Sequence, residues 1–243
     1  MTAEVPRINE HGQPIGPALS GWRAPTRPSR VVLRGRHCRV EPLDPARHGK
    51  DLYEAYALDT TGQLWTYLFS GPFTSLNEFM GWLAPRASSA DPLFFTIVDA
   101  VTDRAAGLAS YLRIEPLHGV IEIGHLAFSP RLQHSTAATE AMYLLMKNAF
   151  DLGYRRYEWK CDALNAPSRR AAGRFGFTFE GIFRQAIVYK GRSRDTAWYS
   201  IIDREWPVLN PAYLTWLTSS NFDATGRQRR SLGDCVRAAR GVD

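Results

Sequence analysis

The segment that most constrains the fold is LAFSPRLQHSTAATEAMYLLM, residues 126–146, because it joins a strand to a helix through a short polar loop. Pro130 ends the strand, and the loop that follows is too short to act as a linker. Apolar side chains then recur at helical spacing and predict one buried helix face, formed by Ala138, Met142, Leu145, Met146 and Ala149. The chain therefore has to pack a helix directly against a sheet.

The start of this helix is a candidate anion site. Free main-chain N–H groups and the positive end of the helix dipole together suit a phosphate or pyrophosphate. Small residues allow a ligand to approach the backbone closely, and the loop supplies Ser135, Thr136, Ala137 and Ala138. The alternative is that Ser135 or Thr136 only caps the helix.

The remaining pattern predicts an α+β domain with a mixed sheet. Asp44, followed by Pro45, and Ser75 mark the starts of two helices, and Gly153 marks a left-handed helix end. The predicted strands are HCRVEPL, LFFTIVDA, AAGLASYLRIEP, GVIEIGHLAFSP, YRRYEWKCDAL, FTFEGIFRQAIVY and DTAWYSIID. Two further helices are predicted over NAPSRRAAGRF and WPVLNPAYLTWLTS.

Changes in composition divide the chain into three parts. Residues 1–30 are rich in Pro, Gly and Arg without periodicity, which predicts an irregular arm. Residues 31–206 carry the predicted sheet and its helices, and residues 207–243 are predicted to form a C-terminal helix and an Arg-rich tail. A chain of 243 residues with 44% hydrophobic side chains is long enough for one main domain with peripheral segments.

The charge of the chain favours anionic partners only loosely. Its net charge is +6 and its sequence pI is about 9.4. Much of the arginine lies in two terminal segments, which we interpret as solvated or terminus-pinning. Neither segment shows the interleaved aromatic side chains of a single-strand nucleic-acid site, so we expect no nucleic-acid partner. These segments are RAPTRPSRVVLRGRHCR and GRQRRSLGDCVRAAR.

The cysteines and the chain start bear on compartment and metal content. Cys38, Cys161 and Cys235 are odd in number and widely spaced, which argues against a disulfide framework and against a zinc site. The first residues lack the apolar stretch of a signal peptide, and no apolar run approaches the ~20 residues of a membrane span. We therefore expect a cytoplasmic protein without a metal and without a membrane partner.

The opening segment resembles the acetyl-CoA motif of the GNAT superfamily of N-acetyltransferases, in which a strand leads into Q/R-x-x-G-x-G/A. Gln133, Thr136 and Ala138 stand at its first, middle and last specified positions. Thr136 replaces the usual glycine, and its β-carbon narrows the allowed backbone angles. Residues 165–206 are similar to the end of the RimJ/RimL-like, ribosomal-protein branch, and the likeness covers roughly residues 36–206. Two motifs in the right order make the resemblance specific.

The resemblance implies a GNAT-like sheet, mixed and mostly antiparallel, flanked by helices and splayed at the acetyl-CoA site. It also implies transfer of acetyl from acetyl-CoA directly to a primary amine, either a protein N-terminus or a small amine. The alternative is a non-catalytic acyl-CoA-binding or regulatory protein with the same fold. The closing hairpin offers a surface for a homodimer.

The resemblance assigns the cofactor to main-chain and polar groups. The backbone of Leu126, Ala127 and Phe128 would contact the acetyl and pantetheine groups, and Asn165 the pantetheine amides. Arg forks suit phosphates, although each arginine can equally be a surface charge. The remaining cofactor candidates are Arg131, Gln133, His134, Ser135, Thr136, Ala137, Ala138, Arg169 and Arg170.

Glu122 is the first candidate for the general base, because it lies six residues before Phe128, the offset at which the resembling histone-acetyltransferase branch carries its general-base glutamate. Its apolar neighbours favour a raised pKa, which suits a base near neutral pH. The alternative is a strand glutamate that faces solvent or pairs with an arginine. His125 competes for the role because imidazole titrates in the useful range. Strict alternation places it on the opposite face, unless a bulge changes the parity.

The same resemblance leaves two roles open. Ala172 and Ile187 stand where related enzymes have an acid and a base, so these two groups are missing. Ser168 occupies a serine position of the branch and can hydrogen-bond the leaving thiolate, or it can be an ordinary first-turn helix residue. Aromatic residues predicted to line the acceptor side, with packing of their loop onto the sheet as the alternative, are Trp65, Tyr67 and Phe73.

Overall fold

A computed structural model of the chain describes residues 6–241, which form ten strands and six α-helices. The strands are β1 Arg7–Ile8, β2 Pro14–Ile15, β3 Leu33–Arg34, β4 Cys38–Pro42, β5 Leu93–Asp99, β6 Ala105–Glu115, β7 Val120–Phe128, β8 Arg156–Asp162, β9 Thr178–Tyr189 and β10 Arg192–Ile202. The helices are α1 Pro45–Tyr56, α2 Leu76–Ser88, α3 Thr136–Asp151, α4 Ala166–Arg174, α5 Trp206–Leu217 and α6 Leu232–Arg240.

Within these described residues, β3 to β10 form an eight-stranded sheet in the order β3-β4-β5-β6-β7-β8-β10-β9. All neighbouring strands are antiparallel except β7 and β8, which are parallel. A parallel pair needs a long crossover, and α3 provides it. The predicted α+β class with a mixed, mostly antiparallel sheet flanked by helices is confirmed.

Local capping chemistry starts the helices where the sequence predicts. The side chain of Asp44 accepts from the N–H groups of Ala46 and Arg47, and Pro45 is the first residue of α1. Ser75 caps α2 in the same way, accepting from the N–H of Glu78. These bonds satisfy donors that every helix start leaves free, so short-range sequence signals fix the helix boundaries.

The apolar face of α3 lies in the main core, as its spacing predicts. Burying one Leu or Met side chain of this face stabilises the fold by about 1.5–3 kcal/mol, so the face fixes the helix on the sheet. At most 6% of each predicted residue is exposed, which holds for Ala138, Met142, Leu145, Met146 and Ala149.

The structure corrects the interpretation of the C-terminal segment. Residues 207–243 were expected to hold one helix and a tail, but α6 forms within the arginine-rich part and packs against α4 and α5. Leu232, Cys235 and Val236 are buried at i, i+3 and i+4, and Ser231 closes a capping box with Asp234. Because several arginines surround these three residues, the helical spacing of the apolar side chains is hard to recognise in the sequence.

The N-terminal arm lies on the main domain over the part that the structure describes. Its first five residues lie outside the described range. β1 and β2 pair as a small hairpin, and the rest has no regular structure before β3. Arg27 Nη1 donates to the carbonyl of Ile114 at 3.0 Å, and Arg30 Nη2 donates to that of Ser89 at 2.8 Å. No helix in residues 6–241 has the length and apolarity to cross a membrane.

Candidate active site

The parallel strands β7 and β8 separate part of the way along their length. They pair only from Val120 opposite Arg156 to Ile123 opposite Trp159. Beyond this point β7 follows β6, while β8 follows β10 up to Asp162. Among the described residues, the later part of β7 therefore has no strand on its β8 side. The predicted splayed strand is present.

A cleft of about 1460 Å³ occupies this gap. It is bounded by β7, β8 and β10, by the loop before α3 and by α4. The aromatic loop formed by residues 63–73 adds a further wall. One cavity thus connects the start of α3 with the splayed strands and the aromatic loop.

A β-bulge at His125 places two candidate bases in the same cleft. His125 has a φ of +48°, and the register shifts between the pairs Leu108–Ala127 and Ser110–Gly124. The bulge breaks the strict alternation of side chains along β7. Glu122 and His125 consequently both line the cleft, although they are an odd number of residues apart.

Glu122 is a buried carboxylate with a nearby cation. Only 6% of Glu122 is exposed, and Lys160 Nζ lies 2.7 Å from its Oε2. Arg113 Nε is more distant, at 3.6 Å from the same oxygen. Burial raises the pKa of Glu122, and it outweighs the opposing effect of Lys160. Glu122 therefore pairs with a cation, as the alternative describes, and also has the raised pKa that suits a base.

Glu158 lies opposite Glu122 in the parallel register and shares its lysine. Lys160 Nζ is 2.7 Å from Glu158 Oε2, and Arg156 Nε is 2.7 Å from Glu158 Oε1. Burial opposes ionisation of Glu158, but these two hydrogen bonds prevail and lower its pKa. The pKa of Glu122 is thus raised and the pKa of Glu158 is lowered. Such opposite shifts distinguish a carboxylate that can accept a proton from one that stays charged.

His125 is held as a neutral imidazole. Its Nδ1 lies 2.8 Å from Ser110 Oγ, and its ring packs against Phe94 with 5.1 Å between centroids. Burial, reinforced by the charge of Arg86, lowers the pKa of His125 to about 4. An imidazole with so low a pKa is a weak proton acceptor, so Glu122 fits the role of base better.

The loop before α3 presents free main-chain donors. Ser135 caps the helix: its Oγ accepts from the N–H of Ala138 at 3.0 Å. The N–H groups of His134, Thr136 and Ala137 have no acceptor among the described residues. His134 has the positive φ, +59°, whereas Thr136 is already helical. The β-carbon of Thr136 therefore does not obstruct the loop, and the free donors fit a pyrophosphate.

Most residues predicted to hold the cofactor line the cleft. Ala127, Ala137 and Arg131 do not line it, and Arg169 is also elsewhere: its Nε bonds Tyr199 and its Nη1 bonds the carbonyl of Ala163. Of the arginines predicted to bind the cofactor, only Arg170 lines the cleft. The other arginines in the cleft were not candidates from the sequence. The predicted residues in the cleft are Leu126, Phe128, Gln133, His134, Ser135, Thr136, Ala138, Asn165, Ser168 and Arg170.

Asn165 and Ser168 combine a helix-start role with a place in the cleft. Asn165 Oδ1 accepts from the N–H of Ser168 at 3.1 Å, which caps α4. Ser168 Oγ accepts from Trp159 Nε1 at 3.0 Å, and the same hydroxyl also hydrogen-bonds the side chain of Cys161. The structural and the functional interpretations of these two residues are compatible.

The aromatic loop contributes different residues from those predicted. Trp65 and Phe73 pack edge to face, with centroids 5.1 Å apart, in a cluster with α1 and α2, and neither lines the cleft. Tyr67 does line it. Lys190 Nζ donates to the carbonyl of Trp65 at 2.7 Å and ties this loop to the β9–β10 hairpin. The packing alternative is therefore correct for Trp65 and Phe73.

Several cleft residues were missed in the sequence. Thr196 and Trp198 are two residues apart on β10, so a strand assignment could have placed both side chains on one face, and Lys160 pairs with Trp198 across the strands. Arg174 gave no such signal. All of these side chains line the cleft: Lys160, Arg174, Arg194, Thr196 and Trp198. Within residues 6–241, no group of three or more His, Cys, Asp or Glu side chains could hold a metal ion.

Comparisons with known proteins agree with this geometry. A family model described as "Acetyltransferase (GNAT) domain" matches residues 41–178. A GCN5-related N-acetyltransferase from Brucella melitensis is 47% identical, with a TM-score of 0.88 over 90% of this chain and 99% of that one. A GNAT-family protein from Chromobacterium violaceum is 44% identical, with a TM-score of 0.75 over 80% and 98% of the two chains.

More distant comparisons are limited to the fold. The ribosomal-protein acetyltransferase RimL, solved in complex with coenzyme A, is 21% identical with a TM-score of 0.60 over 71% of this chain and 99% of that one. None of the curated proteins compared matches the chain significantly. The fold and the site define an acetyl-CoA-dependent acetyltransferase. The chain belongs to the GNAT family of acetyltransferases.

Proposed function

We propose that the protein transfers an acetyl group directly from acetyl-CoA to the primary amine of a protein N-terminus or a small molecule, with Glu122 as the base. One observation carries the proposal. The splay of β7 from β8 joins the free donors before α3 to a buried carboxylate with a raised pKa in one cleft. A cosubstrate held at the donors can reach this carboxylate through the gap.

The cofactor is held mainly by backbone groups. The free N–H groups of His134 and Thr136 bind the pyrophosphate, and Arg170 and Arg174 add positive charge in the same cleft. Main-chain groups on the open edge of β7 bind the pantetheine arm and orient the acetyl carbonyl. When bound, acetyl-CoA supplies the activated acetyl group as a thioester.

Proton transfer is assigned to side chains on the cleft walls. Glu122 accepts the proton of the attacking amine, directly or through a water molecule, because its raised pKa improves its match to a near-neutral solution. Ser168 turns its hydroxyl from Cys161 toward the departing sulfur and donates a hydrogen bond to it. Asn165 fixes the helix turn that carries this serine.

The test is a thiol-release assay with acetyl-CoA and a panel of amines and peptides, combined with calorimetry of coenzyme A binding. We expect binding and amine-dependent thiol release, with the acetylated amine identified by mass spectrometry. Binding without release for every acceptor would favour the non-catalytic alternative. Absence of binding would overturn the proposal.

The sheet edge supports the earlier expectation of a homodimer. β9 is an edge strand, and Phe179, Ile182, Phe183 and Val188 on it are each at least 43% exposed. Exposed apolar side chains in a row along one edge are typical of an interaction surface. We infer that a second copy covers this edge, and sedimentation velocity of the wild-type protein and of Val188→Glu tests it. A monomer at micromolar concentration would contradict this inference.

A further inference from the structure

Arg194 is a buried cation without a counter-ion. Only 7% of Arg194 is exposed. Its Nε donates to Thr196 Oγ1 at 3.1 Å, and neither terminal nitrogen has a hydrogen-bond partner among residues 6–241. Within that range no carboxylate lies within ion-pair distance of it. Buried arginines are normally paired, because an unpaired charge loses its hydration without compensation.

The guanidinium group of Arg194 lies in the cleft between two walls. Its Cζ is 5.9 Å from the ring of Phe69 on the aromatic loop and 5.9 Å from that of Tyr189 on β9. Two carboxylates of the described residues line the cleft, those of Glu122 and Asp162, and Asp162 is on the strand next to that of Arg194. That carboxylate already accepts from the hydroxyl of Tyr189 at 2.8 Å and from the N–H of Leu164 at 2.8 Å.

Arg194 shares the sheet face of the proposed base. On β8, Trp159 and Cys161 belong to the main core, so Lys160 and Asp162 project to the other face. On β10, Trp198 stands opposite Lys160 and Thr196 stands opposite Asp162. Arg194 lies two residues before Thr196 on the same strand. Glu122 ion-pairs with Lys160 on this same face. The acceptor can thus contact both the base and Arg194.

We propose that Arg194 binds a carboxylate on the acceptor, which makes the preferred substrate an amine that also carries an acidic group. The inference rests on the proposed acetyl transfer to an amine. A carboxylate suits this position because the two free nitrogens of a guanidinium form a planar fork that matches its two oxygens. The bond would also supply the counter-ion that the buried charge lacks.

The strand register sets the spacing between the amine and its acidic group. Glu122 is level with Glu158 on β8, and Asp162 lies four residues further along that strand, opposite Thr196 on β10. Arg194 lies two residues beyond this level, so at about 3.3 Å per residue its backbone is roughly 20 Å from the level of Glu122. The Nε of Arg194 reaches back to Thr196 Oγ1 at 3.1 Å, which brings the guanidinium group to roughly 13 Å from that level. The carboxylate is therefore borne several bonds from the reacting amine, and not on the same carbon.

The experiment compares acceptors that differ only in this charge. The peptide pair Ala-Glu-Glu-Ala and Ala-Gln-Gln-Ala, both with amidated C-termini, is assayed with acetyl-CoA beside the small acceptors glutamate and glutamine. We expect kcat/KM to be about 10- to 100-fold higher for an acidic acceptor, in line with one charge-assisted pair. A preference confined to the peptides or to the small acceptors identifies which of the two carries the carboxylate.

Arg194→Gln is expected to bring the ratio of kcat/KM between the acidic and the neutral acceptor close to one, and Arg194→Lys to restore part of the preference. Arg34→Gln is the matched control, because Arg34 is exposed on β3 and does not line the cleft. Calorimetry with coenzyme A shows whether each variant remains folded.

Equal rates for acidic and neutral acceptors in the wild type would overturn the role of Arg194 while leaving acetyl transfer intact. A preference that survives in Arg194→Gln would overturn it as well. Failure to acetylate any amine would instead count against the proposed function, so the two outcomes are distinguishable.

Discussion

The ammonium nitrogen of Lys160 lies 2.7 Å from Oε2 of Glu122, inside the splay between the two parallel strands. A buried carboxylate with so close a cation would ordinarily be held strongly ionised. Here Lys160 also contacts Glu158, so its charge is divided between two acids and burial still raises the pKa of Glu122. The proposed base is therefore tuned by a neighbour on β8 as well as by its own burial.

Replacing Glu122 by glutamine tests its role directly. We expect Glu122→Gln to lower kcat about 10²- to 10⁴-fold, which is the usual contribution of a general base, because the amide cannot accept the amine proton. Affinity for coenzyme A should stay within about twofold. The matched control is Glu115→Gln, because the Glu115 side chain is 44% exposed and outside the cleft. Unchanged turnover in Glu122→Gln would eliminate it as the base.

The pH dependence of kcat/KM follows from the direction in which burial shifts the pKa of Glu122. The base has to be deprotonated in order to act, so kcat/KM should fall as the pH drops through the pKa of Glu122, which burial places above 4.5. Lys160 lowers this pKa, so Lys160→Met should move the acidic limb of the profile to higher pH. A pH–rate profile of both proteins measures it. An unmoved limb in Lys160→Met would show that a different group titrates.

Glu122 and Glu158 change the free energy of unfolding with pH in opposite directions. Because the folded-state pKa of Glu122 is raised, its contribution to stability is present at low pH and is lost as the pH rises through that pKa. The lowered pKa of Glu158 gives a contribution present above its unfolded value and lost as the pH falls. Urea unfolding from pH 4 to 8 should show Glu122→Gln gaining stability over wild type toward the upper end. A constant difference would contradict the assigned shift.

The sequence predicted the elements whose cause is local. Ser135 caps α3 and Asp44 caps α1 because capping needs only a side-chain oxygen at the right position. The bulge at His125 has no such signal, since nothing in a non-glycine strand residue announces a positive φ. The burial of Trp65 and the exposure of Tyr67 to the cleft depend on how the aromatic loop packs against α2.

Long-range packing also explains why Arg194 was not predicted from the sequence to be a cleft residue. Arg194 sits in a polar stretch, and its burial arises only when the hairpin contacts the aromatic loop. The arginines singled out in the sequence behaved differently: Arg131 and Arg169 are bonded or exposed away from the cleft. Composition can therefore indicate an anion-binding protein, but only the fold selects which cations face the ligand.

The free donors before α3 can be tested one at a time. Thr136 is the first residue of the helix, where proline is well tolerated, and Ser135 before it is extended, as proline requires. Thr136→Pro should remove a single N–H and weaken coenzyme A binding by about 10- to 100-fold, the value of a charge-assisted bond. Thr136→Ala keeps the N–H and is the control. Calorimetry measures both, and equal affinities would exclude this N–H from phosphate binding.

The turn that leads into β4 is attached to α3 through the side chain of Glu140. The carboxylate of Glu140 is buried and accepts from the N–H groups of Arg36, His37 and Cys38 at 2.9, 2.6 and 3.0 Å. Glu140→Ala leaves three donors without an acceptor, so we expect a loss of about 3–5 kcal/mol in the free energy of unfolding, as for other broken buried charge interactions.

Urea denaturation measures this loss, and Asp151→Ala is the control, because Asp151 has an exposed side chain near the end of the same helix. Gly35→Ala should also destabilise the fold, since its β-carbon would lie 2.3 Å from Oε2 of Glu140. The two changes disturb one contact, so their effects should combine to less than their sum. Fully additive losses would show that Gly35 and Glu140 act independently, and that the turn is held by other contacts.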